Sequence, residues 1–199
     1  MNDSREHILQ TAALLFMQKS YREVTMKQIV DKTGLSKGAF YHHFSSKEQL
    51  FLEIVDKFFL TGMRMPYAEF SHESLWQFYH DLIANTELQF KGLLMKMGKD
   101  EMGAVNIFSM MFDSLRLFPD FRRKVMMVQE EELKAWVTII RLAKAKGEIK
   151  STISDRRIAQ IFVSITDGTG MRLIMEGKID RIGKEMIAQW DEFYSLLKK

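Results

Sequence analysis

Apolar residues recur every three or four positions along almost the whole chain, and strict alternation is absent, so the pattern predicts an all-α protein. Ile8, Ala12, Leu15 and Phe16 share one face of a helix expected from Asp3 to Lys19, with Asp3 and Glu6 spaced as a capping box. Thr25 and Gln28 have the same spacing and open a second helix that buries Met26, Ile29 and Val30. It stops before Gly34, a residue suited to the left-handed end of a helix. Ser36 caps a short third helix. Ser45 with Glu48, or Ser46 with Gln49, caps a fourth that runs to about Met63, and Pro66 forbids simple continuation. Later stripes predict helices over 74–94, 100–115, 119–146, 154–175 and 182–197. The long one after Pro119 aligns Phe121, Val125, Val128, Leu133, Trp136, Val137 and Ile140.

The third helix, from Lys37, is too short to be stable alone. Joined to the second helix through Gly34 it makes a helix-turn-helix. Leu35, Phe40 and Phe44 give it a buried side, and Lys37, Gly38, Ala39, Tyr41 and His42 an exposed side that fits a major groove. Gly38 and Ala39 are small enough to let the backbone come close to DNA. Thr25 stands at a helix N-terminus, where free N–H groups favour phosphate. Lys47 stands in the first turn of the fourth helix, where a cation opposes the helix dipole unless a phosphate lies beside it. A net charge of +3 is modest, but Lys27, Lys32, Lys37 and Lys47 face only Asp31 across residues 25–47, a local basic patch.

The run T-x-K-x-I-V-x-x-x-G-L-S-K-G-A-F-Y-H-H-F-x-S-K-E-x-L-F, from Thr25 to Phe51, closely resembles the DNA-binding domain of the TetR family of bacterial repressors. The likeness of helix pattern extends over the whole chain. The resemblance implies a DNA-binding domain over residues 1–50 and a helical ligand-binding and dimerisation domain over 51–199. It implies a homodimer on double-stranded operator DNA, released by a small-molecule effector. The positions it places at or near DNA are Thr25, Lys27, Ser36, Lys37, Gly38, Ala39, Tyr41, His42, His43 and Lys47. Adjacent helical residues point about 100° apart, so one of His42 and His43 faces DNA and the other the domain, and a shared metal is disfavoured.

The C-terminal part carries no comparable motif. Fifteen methionines, several crowded between residues 95 and 127, suit either ordinary core filling or an adaptable apolar cavity. Met110, Phe112, Leu115, Trp136, Ile140 and Phe162 are the candidate lining of such a cavity. Asp167 and Arg172 lie in an apolar helix and could meet a polar ligand, each other or an interface. Ile158, Ile161, Phe162, Ile165, Met186, Trp190, Phe193 and Tyr194 are candidates for a dimer interface built from the last two long helices, or for one chain's core.

His72, Glu73 and His80 lack the spacing of a zinc protease, and eight residues turn the second histidine off the face of the first. Gly168-x-Gly170 lacks a third glycine and follows no strand, which favours close helix packing over nucleotide binding. The absence of cysteine excludes disulfides and thiolate chemistry. No catalytic constellation, cofactor motif, metal site, signal peptide or membrane-spanning run is evident, so a cytoplasmic regulator is expected. A DNA-binding regulator controlled by a partner protein, with no small ligand, is the alternative.

Overall fold

The computed structural model describes residues 2–60, 64–97 and 102–198. The described residues form α1 (Asn2–Gln18), α2 (Met26–Thr33), α3 (Lys37–His43), α4 (Lys47–Ile54), α5 (Leu75–Met97), α6 (Met102–Leu117), α7 (Pro119–Ala145), α8 (Asp155–Met175) and α9 (Ile182–Leu197), without a strand among them. A π-helical turn, Val55–Leu60, continues α4, and 3-10 turns occupy Tyr67–Glu69 and Ile179–Arg181.

Contacts divide the chain into two units. The first takes in residues 1–63 and 97–125, the second 64–96 and 126–199. The segment 1–50 thus lies wholly within the first unit, which also includes α6 and the opening turns of α7.

In the first unit α1 packs against α2, α4 and α6. Ile8, Leu9, Ala12, Ala13 and Phe16 form its buried stripe, while Leu15 is half-buried. Phe16, Tyr21 and Phe51 make an aromatic knot with ring centroids 4.9 Å apart for Phe16–Phe51 and 4.7 Å for Tyr21–Phe51. Asp3 lies inside the first turn of α1, because the helix starts at Asn2. The fourth helix is not continuous α-helix toward residue 63: from Val55 it takes the wider π geometry, and residues 61–63 lie outside the described residues.

In the second unit α5, α7, α8 and α9 enclose Phe78, Tyr79, Trp136, Ile140, Phe162 and Trp190. The Glu148 carboxylate accepts the Leu75 N–H at 2.9 and 3.0 Å and the Tyr194 hydroxyl at 2.8 Å, which caps α5 and ties it to α9. The Trp190 indole donates to the Phe162 carbonyl at 3.1 Å. Gly168 and Gly170 do not mark close packing within the chain, since a Cβ at either would meet nothing within 4 Å. Among the described glycines, Gly183 is closely approached, by the Glu87 side chain.

Candidate functional site

Short-range hydrogen bonds set the helix-turn-helix. The Thr25 hydroxyl accepts the Gln28 N–H at 3.2 Å and Gln28 Oε1 accepts the Thr25 N–H at 2.9 Å, a complete capping box. Gly34 ends α2 at φ 69°, a left-handed geometry that a side chain would strain. Ser36 Oγ accepts the Ala39 N–H at 3.2 Å and starts α3. Ser46, rather than Ser45, caps α4 by accepting the Gln49 N–H at 3.1 Å.

These caps fix which way α3 faces. Phe40 and Phe44 are wholly buried, and Leu35 is half-buried beside them. Ser36, Lys37, Gly38, Ala39, Tyr41 and His42 are exposed, as are Thr25 and Lys27 on α2 and its cap. Tyr41 is 48% exposed. His43 is half-buried and His42 exposed, their rings 5.4 Å apart and edge-on. The Arg5 guanidinium lies 5.0 Å from the Phe44 ring centre and pairs with Glu53. That clamp on the back of α3 has no signal in the sequence, where Arg5 reads as a solvated charge.

Lys47 differs from the expectation. Its ammonium donates to the Tyr21 and Val24 carbonyls, both at 2.8 Å, and stands 4.3 Å from the Tyr21 ring centre. The Tyr21 hydroxyl donates to Glu48 at 2.9 Å. Burial and that bond push the Tyr21 hydroxyl upward, while the Glu48 backbone N–H and the tyrosine hold its carboxyl below its ordinary value. A cation in the first turn of α4 is therefore satisfied by the α1–α2 loop, and no phosphate is needed to explain it.

The candidate ligand residues fall into two sets. Met110 is buried, Leu115 half-buried and Phe112 exposed, all in the first unit. Trp136, Ile140 and Phe162 are brought together in the core of the second. Trp136 stacks on Phe162 at 4.7 Å and meets Trp190 and Phe78 edge-on at 5.2 and 5.3 Å, so its ring faces are filled by neighbours. Among the dimer candidates, Ile158, Phe162, Met186, Trp190 and Tyr194 are buried in their own chain's core and offer no surface to a partner. Ile161, Ile165 and Phe193 are half-buried, and Met171, Met175 and Leu196 are exposed beside them.

A polar cluster lies in the second unit, and of its members the sequence singled out Trp136 and Asp167 but not Glu132. The Trp136 indole N–H is buried and makes no well-formed hydrogen bond, although it acts on the Glu132 carboxyl. Glu132, one turn earlier on α7, is half-buried. Burial first, and the charge of Asp167 second, push its carboxyl up to about 7, against a smaller opposing pull from the Trp136 indole. Burial also raises the Asp167 carboxyl, although the residue stands at the surface. Tyr67 is raised by its burial and by the charges of Glu132 and Glu131. Arg172 turns to Glu176 at 3.1 Å rather than to Asp167. The one available signal was a carboxylate at four-residue spacing inside an apolar stripe: Val128, Glu132, Trp136, Ile140.

His80 stacks on Trp76 at 3.8 Å, and its Nδ1 lies 2.9 Å from the Trp76 carbonyl. Among the described residues no three His, Asp or Glu side chains group as metal ligands, and no helix is long and apolar enough to cross a membrane.

Residues 8–54 match the family described as bacterial regulatory proteins, tetR family. The chain is 42% identical over 65 residues to the uncharacterized HTH-type transcriptional regulator YerO of Bacillus subtilis, a match covering 33% of this chain and 22% of that one. It spans between 22% and 43% of the length of three such relatives. It is 25% identical over 190 residues to the HTH-type transcriptional repressor KstR2 of Mycolicibacterium smegmatis, covering 92% of this chain and 87% of that one. A TetR-family transcriptional regulator from Rhodococcus shares the fold over 99% of this chain and 100% of its own, at 16% identity and a TM-score of 0.68.

Proposed function

We propose that this chain, which belongs to the TetR family of bacterial regulatory proteins, is a cytoplasmic transcriptional repressor that binds operator DNA as a homodimer. A small apolar or amphipathic molecule binds the C-terminal region, over 51–199, and releases it. The observation that carries the DNA reading is the division of α3. Two phenylalanines anchor it, and every side chain from Lys37 to His42 except Phe40 is exposed beside a basic α2. A short helix held from behind, with small residues at its N-terminal end, suits entry into the major groove. Lys37 and Tyr41 supply the base-edge and phosphate contacts, with Thr25, Lys27, Ser36, Gly38, Ala39, His42 and His43 around them. Lys47 acts mainly by holding the loop that carries α2. Dimerisation uses the apolar surface left open on α8 and α9: Ile161, Ile165, Met171, Met175, Phe193 and Leu196.

The test is selection of binding duplexes from a random pool, followed by titration of Lys37→Ala. Loss of a bidentate base contact is expected to cost about 1–3 kcal/mol and to relax preference at one position of each half-site. Unchanged affinity and unchanged sequence preference overturn the assignment of α3. Addition of small amphipathic molecules to the protein–DNA complex tests release, and linkage requires that bound DNA weaken ligand binding by the same factor. If only a partner protein releases the DNA, the ligand reading gives way to control by that partner.

A further inference from the structure

Three consecutive residues at the start of α1 each reach a different element of the first unit. The Arg5 guanidinium pairs with both Glu53 oxygens on α4 and lies 5.0 Å from the centre of the Phe44 ring, at the C-cap of α3. Glu6 pairs with Lys57 in the π-helical turn. His7 Nε2 lies 3.1 Å from the carbonyl of Thr33, the last residue of α2. A carbonyl only accepts, so the ring donates from Nε2. Successive helical residues point about 100° apart, which lets so short a segment hold neighbours on both sides.

The Arg5 and His7 contacts fall on either side of α3. The last carbonyls of a helix have no partner within it. At the end of α2 the Thr33 hydroxyl is occupied inside the turn, where it donates to the Val30 carbonyl at 2.8 Å and accepts the Leu35 N–H at 3.4 Å. The Thr33 carbonyl is held from α1 instead, ahead of Lys37. At the far end the Phe44 N–H donates to the Phe40 carbonyl at 3.2 Å, and the buried Phe44 ring faces the Arg5 guanidinium. A helix of 7 residues has little stability of its own, so its angle is set where its ends are fixed.

We infer that His7 and Arg5 are positioning residues for DNA recognition, through which α1 fixes the angle at which α3 presents its side chains to base edges. The inference rests on the proposed role of α3 as the reader. Phosphate contacts from flexible lysines tolerate a tilt of the helix and carry no sequence information. Base-edge contacts need each side chain closely placed. Loosening either end of α3 therefore lowers discrimination between sequences more than affinity for DNA in general.

The test uses the full chain, a duplex selected from the random pool and a scrambled duplex of the same length. His7→Ala is expected to weaken binding to the selected duplex at least about threefold, the scale of one ordinary hydrogen bond. Water takes the freed carbonyl and alanine favours the helix, so the melting temperature is expected to stay near that of the parent. Affinity for the scrambled duplex and its salt dependence are expected to be unchanged. His7→Gln returns an N–H donor and is expected to restore discrimination. Arg5→Lys keeps a charge for Glu53 but loses the flat fork that also covers Phe44, and is expected to lose discrimination as His7→Ala does. Combined with Lys37→Ala, His7→Ala is expected to add little, because the contact it aligns is gone. Parental discrimination in both His7→Ala and Arg5→Lys overturns the inference. So do equal losses on the two duplexes with a lowered melting temperature, which mark plain structural support, and full additivity with Lys37→Ala. If Lys37→Ala itself binds the selected duplex as the parent does, the reading of α3 fails and the inference with it. A loss in Lys37→Ala beside parental behaviour in both α1 variants removes the inference alone.

Discussion

The α3 face and the Glu132 cluster handle polarity in opposite ways. On α3 most polar groups stand in water, and two wholly buried phenylalanines, with Leu35 and His43 half-buried, tie the helix to the protein. In the second unit a carboxyl and an indole N–H are held among stacked rings, where each missing partner is costly. The first region is kept by local caps and a few anchors, so its surface is free to be chosen for binding. The second is kept by long-range packing, so a polar group there stresses the whole core.

The contrast predicts where truncation hurts most. Trp136→Ala removes a fully buried ring that touches Phe78, Phe162 and Trp190, and is expected to cost about 3–5 kcal/mol. Trp136→Phe is expected to cost less than the loss of ring area implies, because it also deletes a buried donor that makes no well-formed hydrogen bond. Tyr41→Ala, on the exposed face of α3, is expected to stay within about 0.5 kcal/mol of the parent. Denaturant unfolding orders the three. A tolerant Trp136 beside a sensitive Tyr41 breaks the comparison.

Titration sharpens it next. The folded Glu132 carboxyl sits at about 7, against 4.5 for the ordinary side chain. Between those values the folded protein keeps a proton that the unfolded chain has released. The contribution of this group therefore falls as pH rises through that window and is flat above it, a change on the order of 3 kcal/mol. Glutamine imitates the neutral acid at every pH. The stability of Glu132→Gln relative to the parent is thus expected to climb from pH 4.5 to 7 and then level off. Subtraction removes carboxyls that move the other way, such as Glu48 beside the Tyr21 hydroxyl. A flat difference means that Glu132 is not desolvated.

The two regions were also unequally legible. Thr25, Gln28, Gly34 and Ser36 act within four residues of themselves, so their spacing carries the geometry and the caps form as the sequence implies. Phe40 and Phe44 followed from the shortness of the helix, which needs anchors. The helical periodicity likewise survives across the described residues. What the pattern lacked was tertiary assignment. Met110 and Trp136 lie on similar apolar stripes, yet one belongs to the first unit and the other to the second. Buried stripes on α8 and α9 look the same whether they meet a second copy or their own core, and Trp190 meets its own core. Arg5 and Lys47 escaped for the same reason. Their partners, Phe44 and the carbonyls of Tyr21 and Val24, are remote in sequence.

Lys47 and Lys37 separate support from reading within the first unit. Lys47→Ala deletes two hydrogen bonds from a charged donor and is expected to destabilise the protein by about 1.5–3 kcal/mol. Lys37→Ala removes an exposed side chain and is expected to leave the melting temperature unchanged while weakening DNA binding. Equal stability for both variants, with equal losses of affinity and salt slope, returns Lys47 to a phosphate role.

The smallest expected effect concerns the cap of α2. Thr25→Ala removes the acceptor for the Gln28 N–H and leaves the reciprocal bond from the Thr25 N–H to the Gln28 side chain in place. Half of a capping box is lost, so the expected cost is about 1 kcal/mol. Thr25→Ser keeps the hydroxyl and is expected to restore stability. Both variants leave α3 and Lys27 untouched, so operator affinity is expected to follow stability weakly. An alanine variant that melts with the parent yet loses operator affinity, rescued by serine, means that the hydroxyl serves DNA in place of the helix. In that case even a cap formed within four residues has been set by the binding surface, and the division between local support and exposed reader no longer holds at this position.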